Sequence, residues 1–267
     1  MSKRVILAGA TGWAGSAVAR SLVQQPDLRL VGAVSRKAAG KTLGAAISIE
    51  SDCPVFASAA EALAAGGCDV FVEFTKPMSA RQNVLAALHA GAHVVIGTSG
   101  LTDEDLAEID RVARERKRGV LACGNFAITA VLAIKFAEIA ARYIEHFEVL
   151  DYASATKVDV PSGTARELAA RLGRVRAPKI DMPVGQLVGP RETRGASLSG
   201  VQVHSIRQPG FVLGIETIFG ADGERLYIKH DAGASAQPYV GGALLAIRKV
   251  DGAIGLRRGL DSVMEGF

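Results

Sequence analysis

Arg4-Val5-Ile6-Leu7-Ala8-Gly9-Ala10-Thr11-Gly12-Trp13-Ala14-Gly15 is the stretch on which the fold turns. Its first five residues are a short apolar run rich in branched side chains, which reads as a buried strand. Three glycines follow, and then Val18, Leu22 and Val23 recur at helical spacing. Strand, glycine turn and helix in that order make a surface for a pyrophosphate, because glycines let the backbone come close and the helix start near Trp13 offers free N–H groups. On this reading Gly9, Ala10, Thr11, Gly12, Trp13 and Ala14 hold a dinucleotide. The plainer reading is a tight turn with no ligand.

The next residues repeat the alternation. Strands fit 28–34, 69–74, 93–97 and 120–123, and helices fit 79–91 and 103–117, the latter with Thr102 as N-cap and acids in its first turn. Alternating strands and helices predict a doubly wound parallel sheet, a Rossmann domain. The second strand runs into Ser35-Arg36-Lys37 without the acid that accepts the ribose hydroxyl of NAD, so Arg36 and Lys37 favour a 2′-phosphate, and NADPH over NADH. A solvated basic loop is the alternative. Three later loops stand where strands end: Phe74-Thr75, Gly97-Thr98-Ser99 and Cys123-Gly124-Asn125-Phe126. They would line the nicotinamide ribose and amide, although the same residue types also suit ordinary turns.

Composition sets the outer limits. A chain of 267 residues with 49% hydrophobic and 22% charged residues can bury a core, and accommodates one large or two modest domains. A net charge of +4 without a basic run interleaved with aromatics argues against nucleic acid and leaves anionic metabolites as partners. Cys53, Cys68 and Cys123 are odd in number and lack metal-ligand spacing, which predicts reduced thiols in a cytoplasmic protein with no metal. No apolar run has the length of a membrane span, and the first residues lack a signal-peptide pattern.

After Asn125 the texture changes. A long helix fits 127–143, a strand 147–152, a helix 164–172 and consecutive strands 201–206, 211–219 and 225–229, with Ala221-Asp222-Gly223 as a hairpin turn. The expectation is a second α+β domain on an open mixed sheet, largely antiparallel, with 177–200 a mobile loop rich in Pro, Gly and Arg. A last helix over about 239–248 returns to the first domain. The predicted boundaries are 1–126 plus 238–267 for dinucleotide binding and 127–237 for substrate binding and tetramerisation.

Lys157-Val158-Asp159-Val160-Pro161-Ser162-Gly163-Thr164-Ala165 carries the chemistry. A lysine five residues ahead of a Ser-Gly-Thr helix start places a cation and free backbone N–H groups where they face one carboxylate. The bland reading is a surface lysine beside a capped helix. The preceding Asp151-Tyr152-Ala153-Ser154-Ala155-Thr156 contains no histidine, and strand alternation turns Tyr152 away from Ala153. Asp159 reads as a residue that holds the loop. His89 and His93 read as packing or capping groups.

These motifs, with Glu73-Phe74-Thr75-Lys76-Pro77, His204-Ser205-Ile206-Arg207 and Tyr227-Ile228-Lys229-His230-Asp231 in the same order, resemble the dihydrodipicolinate reductase family across nearly the whole chain. The resemblance implies a Rossmann domain closed by the C-terminal helix, a tetramer-forming substrate domain, and hydride transfer from NADPH or NADH to a cyclic imine-like dicarboxylate in diaminopimelate and lysine synthesis. It also implies that Lys157 is the proton-donating or substrate-binding lysine, that Gly163 and Thr164 clamp a substrate carboxylate, and that Ser154 and Ser162 lie beside it. The chain departs from the family at a His-His pair, where Ala153 and Ser154 stand, and near Ala232-Gly233-Ala234-Ser235-Ala236, where the family has an Arg. Three readings follow from the departures: a weak enzyme of the family's own reaction, a paralogue reducing another imine or carbonyl carboxylate, or a cofactor-binding regulatory protein. Retention of the Lys157 and Ser-Gly-Thr motif beside the lost histidines favours an enzyme.

Overall fold

The computed structural model describes residues 2–265. In chain order the elements are β1 (Lys3–Ala8), α1 (Trp13–Leu22), β2 (Leu28–Val34), α2 (Leu43–Ile47), β3 (Val55–Phe56), α3 (Ala59–Ala64), β4 (Val70–Glu73), α4 (Pro77–His89), β5 (His93–Ile96), α5 (Asp103–Glu115) and β6 (Gly119–Ala122). There follow α6 (Ile128–Ala141), β7 (His146–Ala153), α7 (Gly163–Val175), β8 (Ala196–Leu198), β9 (Val201–Arg207), β10 (Leu213–Ala221), β11 (Glu224–Ala232), α8 (Gln237–Lys249) and β12 (Gly255–Arg258). The chain divides into two compact units, 1–128 with 236–267, and 129–235.

The first unit is a seven-stranded parallel sheet in the order β12-β6-β5-β4-β1-β2-β3, the doubly wound pattern with β1 central. Its inner strands β4, β5 and β6 and most of β1 are buried on both faces, which is why they read as unbroken apolar runs. Ile6, Phe71, Val94 and Val120 from the sheet pack with Val84, Leu88, Ile109 and Val112 from α4 and α5. Thr102 caps α5 in a reciprocal box with Asp105. The C-terminal segment is tied in by Lys3, whose ammonium reaches the Arg248 carbonyl at 2.6 Å and Asp251 at 2.8 Å, and by the Arg248–Asp27 pair at 2.7 Å.

The second unit is a five-stranded sheet in the order β11-β10-β7-β9-β8. It is mixed and largely antiparallel, as expected: of its four pairings only that of β7 with β9 is parallel. Their connection runs through α7, the long crossover that a parallel pair needs. Strand β7 alternates strictly, with Phe147, Val149, Asp151 and Ala153 inward. Phe147 and Val149 pack with Ile134 of α6, Leu168 and Leu172 of α7, and Phe219 of β10.

The departures from expectation are local. The segment 177–200 is not a structureless loop, since β8 pairs with β9 and short helical turns occupy 184–186 and 191–194. Strand β10 begins at Leu213, two residues later than expected. Strand β12 has only four residues, and β3 only two, too short to show a period.

Candidate active site

Parallel register brings the expected cofactor loops to one edge of the first sheet. Ala8 is level with Glu73, Glu73 with Ile96, and Ile96 with Ala122, so the chain leaves all four strands at the same height. There Gly9 has φ +80°, and a Cβ on it would overlap the Phe74 carbonyl oxygen. A Cβ on Gly15 would overlap the Gly9 carbonyl. Both positions therefore demand glycine. Helix α1 starts after Gly12 with no side-chain cap, so its first N–H groups are left for an anion.

Around this turn the residues divide by what they offer. Ala10 is fully buried and can present only backbone, while Thr11, Gly12 and Trp13 are exposed and Ala14 is half-buried. The Trp13 ring lies edge-on to Tyr239 of α8 at 5.6 Å. Thr11 Oγ1 and Ser35 Oγ are 2.7 Å apart, which joins the glycine loop to the end of β2. Arg36 and Lys37 follow Ser35 with exposed side chains. An uncapped helix start, two glycines whose Cβ positions are taken, and an adjacent basic pair fit the phosphates of a dinucleotide.

The other loops form a packed floor. The Phe74 and Phe126 rings are 5.4 Å apart, and a Cβ on Gly97 would run into both. Phe126 and Cys123 are buried, Gly124 and Ser99 are exposed, and Asn125 accepts the Ala127 N–H at 2.8 Å. Thr98 Oγ1 lies 3.2 Å from the Thr75 carbonyl, so the loops after β4 and β5 are bonded to each other. Helix α8 supports the floor closely, for a Cβ on Gly242 would overlap the Phe126 carbonyl.

In the second unit α7 starts at Gly163 with Ser162 as N-cap, its hydroxyl accepting the Ala165 N–H at 3.3 Å. Gly163 and Thr164 therefore supply first-turn N–H groups with no intrahelical acceptor, and Gly163 is exposed. Lys157 is not a free cation. Its ammonium is 2.7 Å from Asp159 Oδ1, and the two side chains are 30% and 38% exposed. The Asp159 carboxyl is held below the usual range first by its hydrogen bond from Lys157. Asp159 holds the loop as expected, through a salt bridge and through its carbonyl, which accepts from Arg207 at 2.9 Å. Ser154 is half-buried, with its Oγ 3.5 Å from Thr156 Oγ1.

Two residues beneath this loop, Asp151 and Arg207, stand in quoted motifs but had no role assigned from the sequence. Asp151, 0% exposed, accepts the Ser162 N–H at 2.9 Å, the Ser205 hydroxyl at 3.1 Å and Arg207 Nη2 at 2.7 Å, all on Oδ2. Burial pushes its carboxyl up, but the hydrogen bonds from Ser162 and Arg207 outweigh this and hold it below the ordinary value. Asp151 and Arg207 thus fix both the Asp159 and Ser162 ends of the clamp. The available signal was an acid at an inward position of β7.

No imidazole stands in for the missing pair. Each of the five histidines is bonded elsewhere: His89 to Arg116, His93 to the Gly119 N–H, His146 to Asp181, His204 to Glu148 and His230 to Thr129. Tyr152 points to the face opposite Ala153 and donates to Glu216 at 2.7 Å, its phenol pushed up to about 12 by burial and then by Glu216. Among the described residues no cluster of three or more His, Cys, Asp or Glu could hold a metal, and no helix is long and apolar enough to cross a membrane.

A Rossmann unit with an open glycine turn, joined in sequence to an α+β unit in which a lysine precedes a free helix start, belongs here to an NAD(P)H-dependent oxidoreductase, as the relatives below show. Residues 3–126 match the family described as "Dihydrodipicolinate reductase, N-terminus" and residues 129–264 match "Dihydrodipicolinate reductase, C-terminus". The chain belongs to the dihydrodipicolinate reductase family. It is 36% identical over 267 residues to the 4-hydroxy-tetrahydrodipicolinate reductase of Desulfitobacterium hafniense, covering 98% of each chain, and 36% identical over 270 residues to that of Moorella thermoacetica. A solved dipicolinate-bound dihydrodipicolinate reductase from a Paenisporosarcina species superposes with a TM-score of 0.88 at 30% identity, over 99% of this chain and 100% of that one.

Proposed function

We propose that the protein reduces 4-hydroxy-tetrahydrodipicolinate, a cyclic dicarboxylate, in the route to diaminopimelate and lysine, with NADPH as the preferred dinucleotide and NADH as the alternative. The observation that carries this is the match to relatives of that activity over nearly the whole chain, with Lys157 retained five residues ahead of the Ser162 cap of a free helix start. The reduced nicotinamide, when bound, supplies a hydride. On the protein side, Gly9 to Ala14 hold the pyrophosphate, Ser35, Arg36 and Lys37 the adenosine ribose end, and Phe74, Thr75, Gly97 to Ser99 and Cys123 to Phe126 the nicotinamide side. Residues 1–126 with 238–267 serve as the dinucleotide domain, and 127–237 as the substrate and tetramerisation domain of a cytoplasmic homotetramer.

In the substrate domain the Gly163 and Thr164 N–H groups, flanked by Ser162 and Ser154, bind and orient one carboxylate. Lys157 leaves Asp159, adds its charge to the anion and stabilises the negative charge that develops on the imine nitrogen. Ala153 and Ser154 favour a second reading, a slow form of the same reaction or reduction of another imine or carbonyl carboxylate, since a missing general acid typically lowers rate by about 10²- to 10⁴-fold. NADPH oxidation with the enzymatically prepared pathway substrate tests the first reading. Turnover only on a different cyclic imine or keto acid would replace it with the second.

A further inference from the structure

Glu73 ends β4 and is 0% exposed, yet among the described residues no basic side chain pairs with it. A carboxylate so placed needs donors in place of water. The Thr75 N–H reaches Oε1 at 2.6 Å, the Thr75 hydroxyl donates to the same oxygen, and Thr98 Oγ1 lies 3.3 Å from it. Asn83 Nδ2 of α4 meets Oε2 at 2.9 Å. Burial pushes the carboxyl above the usual range, against the pull of these donors. One acid thus gathers the loop after β4, the loop after β5 and helix α4.

The peptide held at Thr75 is the one that carries Phe74. Its carbonyl occupies the space that a side chain on Gly9 would need, and its ring occupies the space beside Gly97 and Phe126. Moving the Thr75 N–H off Glu73 would therefore disturb the ring floor. The pyrophosphate turn touches the Phe74 carbonyl at Gly9, but its hydrogen bonds lie elsewhere, the Gly9 N–H on the Val34 carbonyl at 3.0 Å and the Gly12 N–H on the Gly9 carbonyl at 2.9 Å.

We infer that Glu73 is a positioning residue for the nicotinamide half of the dinucleotide, locking the Phe74-Thr75 and Gly97-Thr98 loops into one surface through its buried carboxylate. This rests on the cofactor reading proposed above. The test titrates NADPH, and separately phospho-ADP-ribose, which lacks the nicotinamide, into the parent protein and the variants E73L, E73Q and N83L, with thermal midpoints measured alongside. E73L leaves the Thr75 N–H without an acceptor and weakens NADPH by about tenfold while phospho-ADP-ribose is held as before. E73Q keeps an acceptor for Thr75 and stays within about threefold of the parent. Should E73L fail to fold, N83L, which removes a donor outside the cofactor loops, carries the test with about a fivefold loss confined to NADPH. Equal weakening of both ligands by every folded variant, or weakening of neither, overturns the inference. Failure of the parent protein to bind any dinucleotide overturns the cofactor reading itself, and this inference with it.

Discussion

Lys157 Nζ lies 2.7 Å from Asp159 Oδ1, so this ammonium is paired within its own loop. A dicarboxylate bound as proposed must compete with Asp159 for that ammonium. The pair is partly exposed and so intrinsically weak, which makes the exchange feasible. Removing the cation should therefore weaken anion binding, and removing its internal partner should strengthen it. K157M is expected to lose about tenfold or more in dipicolinate affinity, whereas D159N gains a few-fold if its loop stays in place. Calorimetric titration at two salt concentrations reads both, and a K157M variant that binds like the parent removes Lys157 from the site.

Arg36 and Lys37 are exposed directly after Ser35, which is bonded to Thr11 of the glycine loop. If they meet a 2′-phosphate, R36A/K37A weakens NADPH by about tenfold and leaves NADH within about twofold, the difference shrinking at high salt. Fluorescence titration of both reduced cofactors measures it. Equal losses for the two would assign the basic pair to general attraction.

Ala153 is fully buried on the inward face of β7, whereas Ser154 is half-buried at the strand end. An imidazole fits more readily at the second position, so S154H should keep its stability and A153H should lose about 1–3 kcal/mol through overpacking. If the pocket retains the family's substrate, the double variant raises turnover by about 10²-fold or more. Steady-state rates with the pathway substrate check this, and an unchanged rate in folded A153H/S154H points to the paralogue reading.

Asp151 predicts an acid-sensitive fold in the second unit. Its folded pKa lies below the unfolded value, so the stability it contributes is present above the unfolded pKa and is lost as pH falls through the folded one. D151N leaves Arg207 without its buried anion and should cost about 3–5 kcal/mol near neutral pH. The gap from the parent should narrow on acidification. Urea midpoints from neutral to acidic pH would show it, and a gap independent of pH would mean that shape rather than charge is what Asp151 contributes.

The alternation of strands and helices, the glycine turn and the capped start of α7 were legible because each depends on neighbours along the chain: apolar period, turn residues and caps act over a few positions. The same locality hid β12, which is too short to show a period and exists because Leu256 and Arg257 pair with Val120 and Leu121 more than a hundred residues earlier. It also hid the parallel pairing of β7 with β9, since the pattern of a half-buried strand is the same whichever way its neighbour runs. At the candidate site the roles of Lys157, Ser162 and Gly163 were legible, while the bond between Asp151 and Arg207 was not, the two being joined only when β7 and β9 lie side by side.

By itself, then, the amino-acid order determined the element types, the glycine-lined turn, the lysine ahead of the helix start and the missing histidines, all of which are properties of residue type and short spacing. Only the folded chain decided that Lys157 is engaged by Asp159, that Asp151 and Arg207 brace the clamp, and that Glu73 is sealed beneath two loops. The physical reason is that charge pairing and desolvation depend on distance through space and on exclusion of water, and neither is encoded in any single segment.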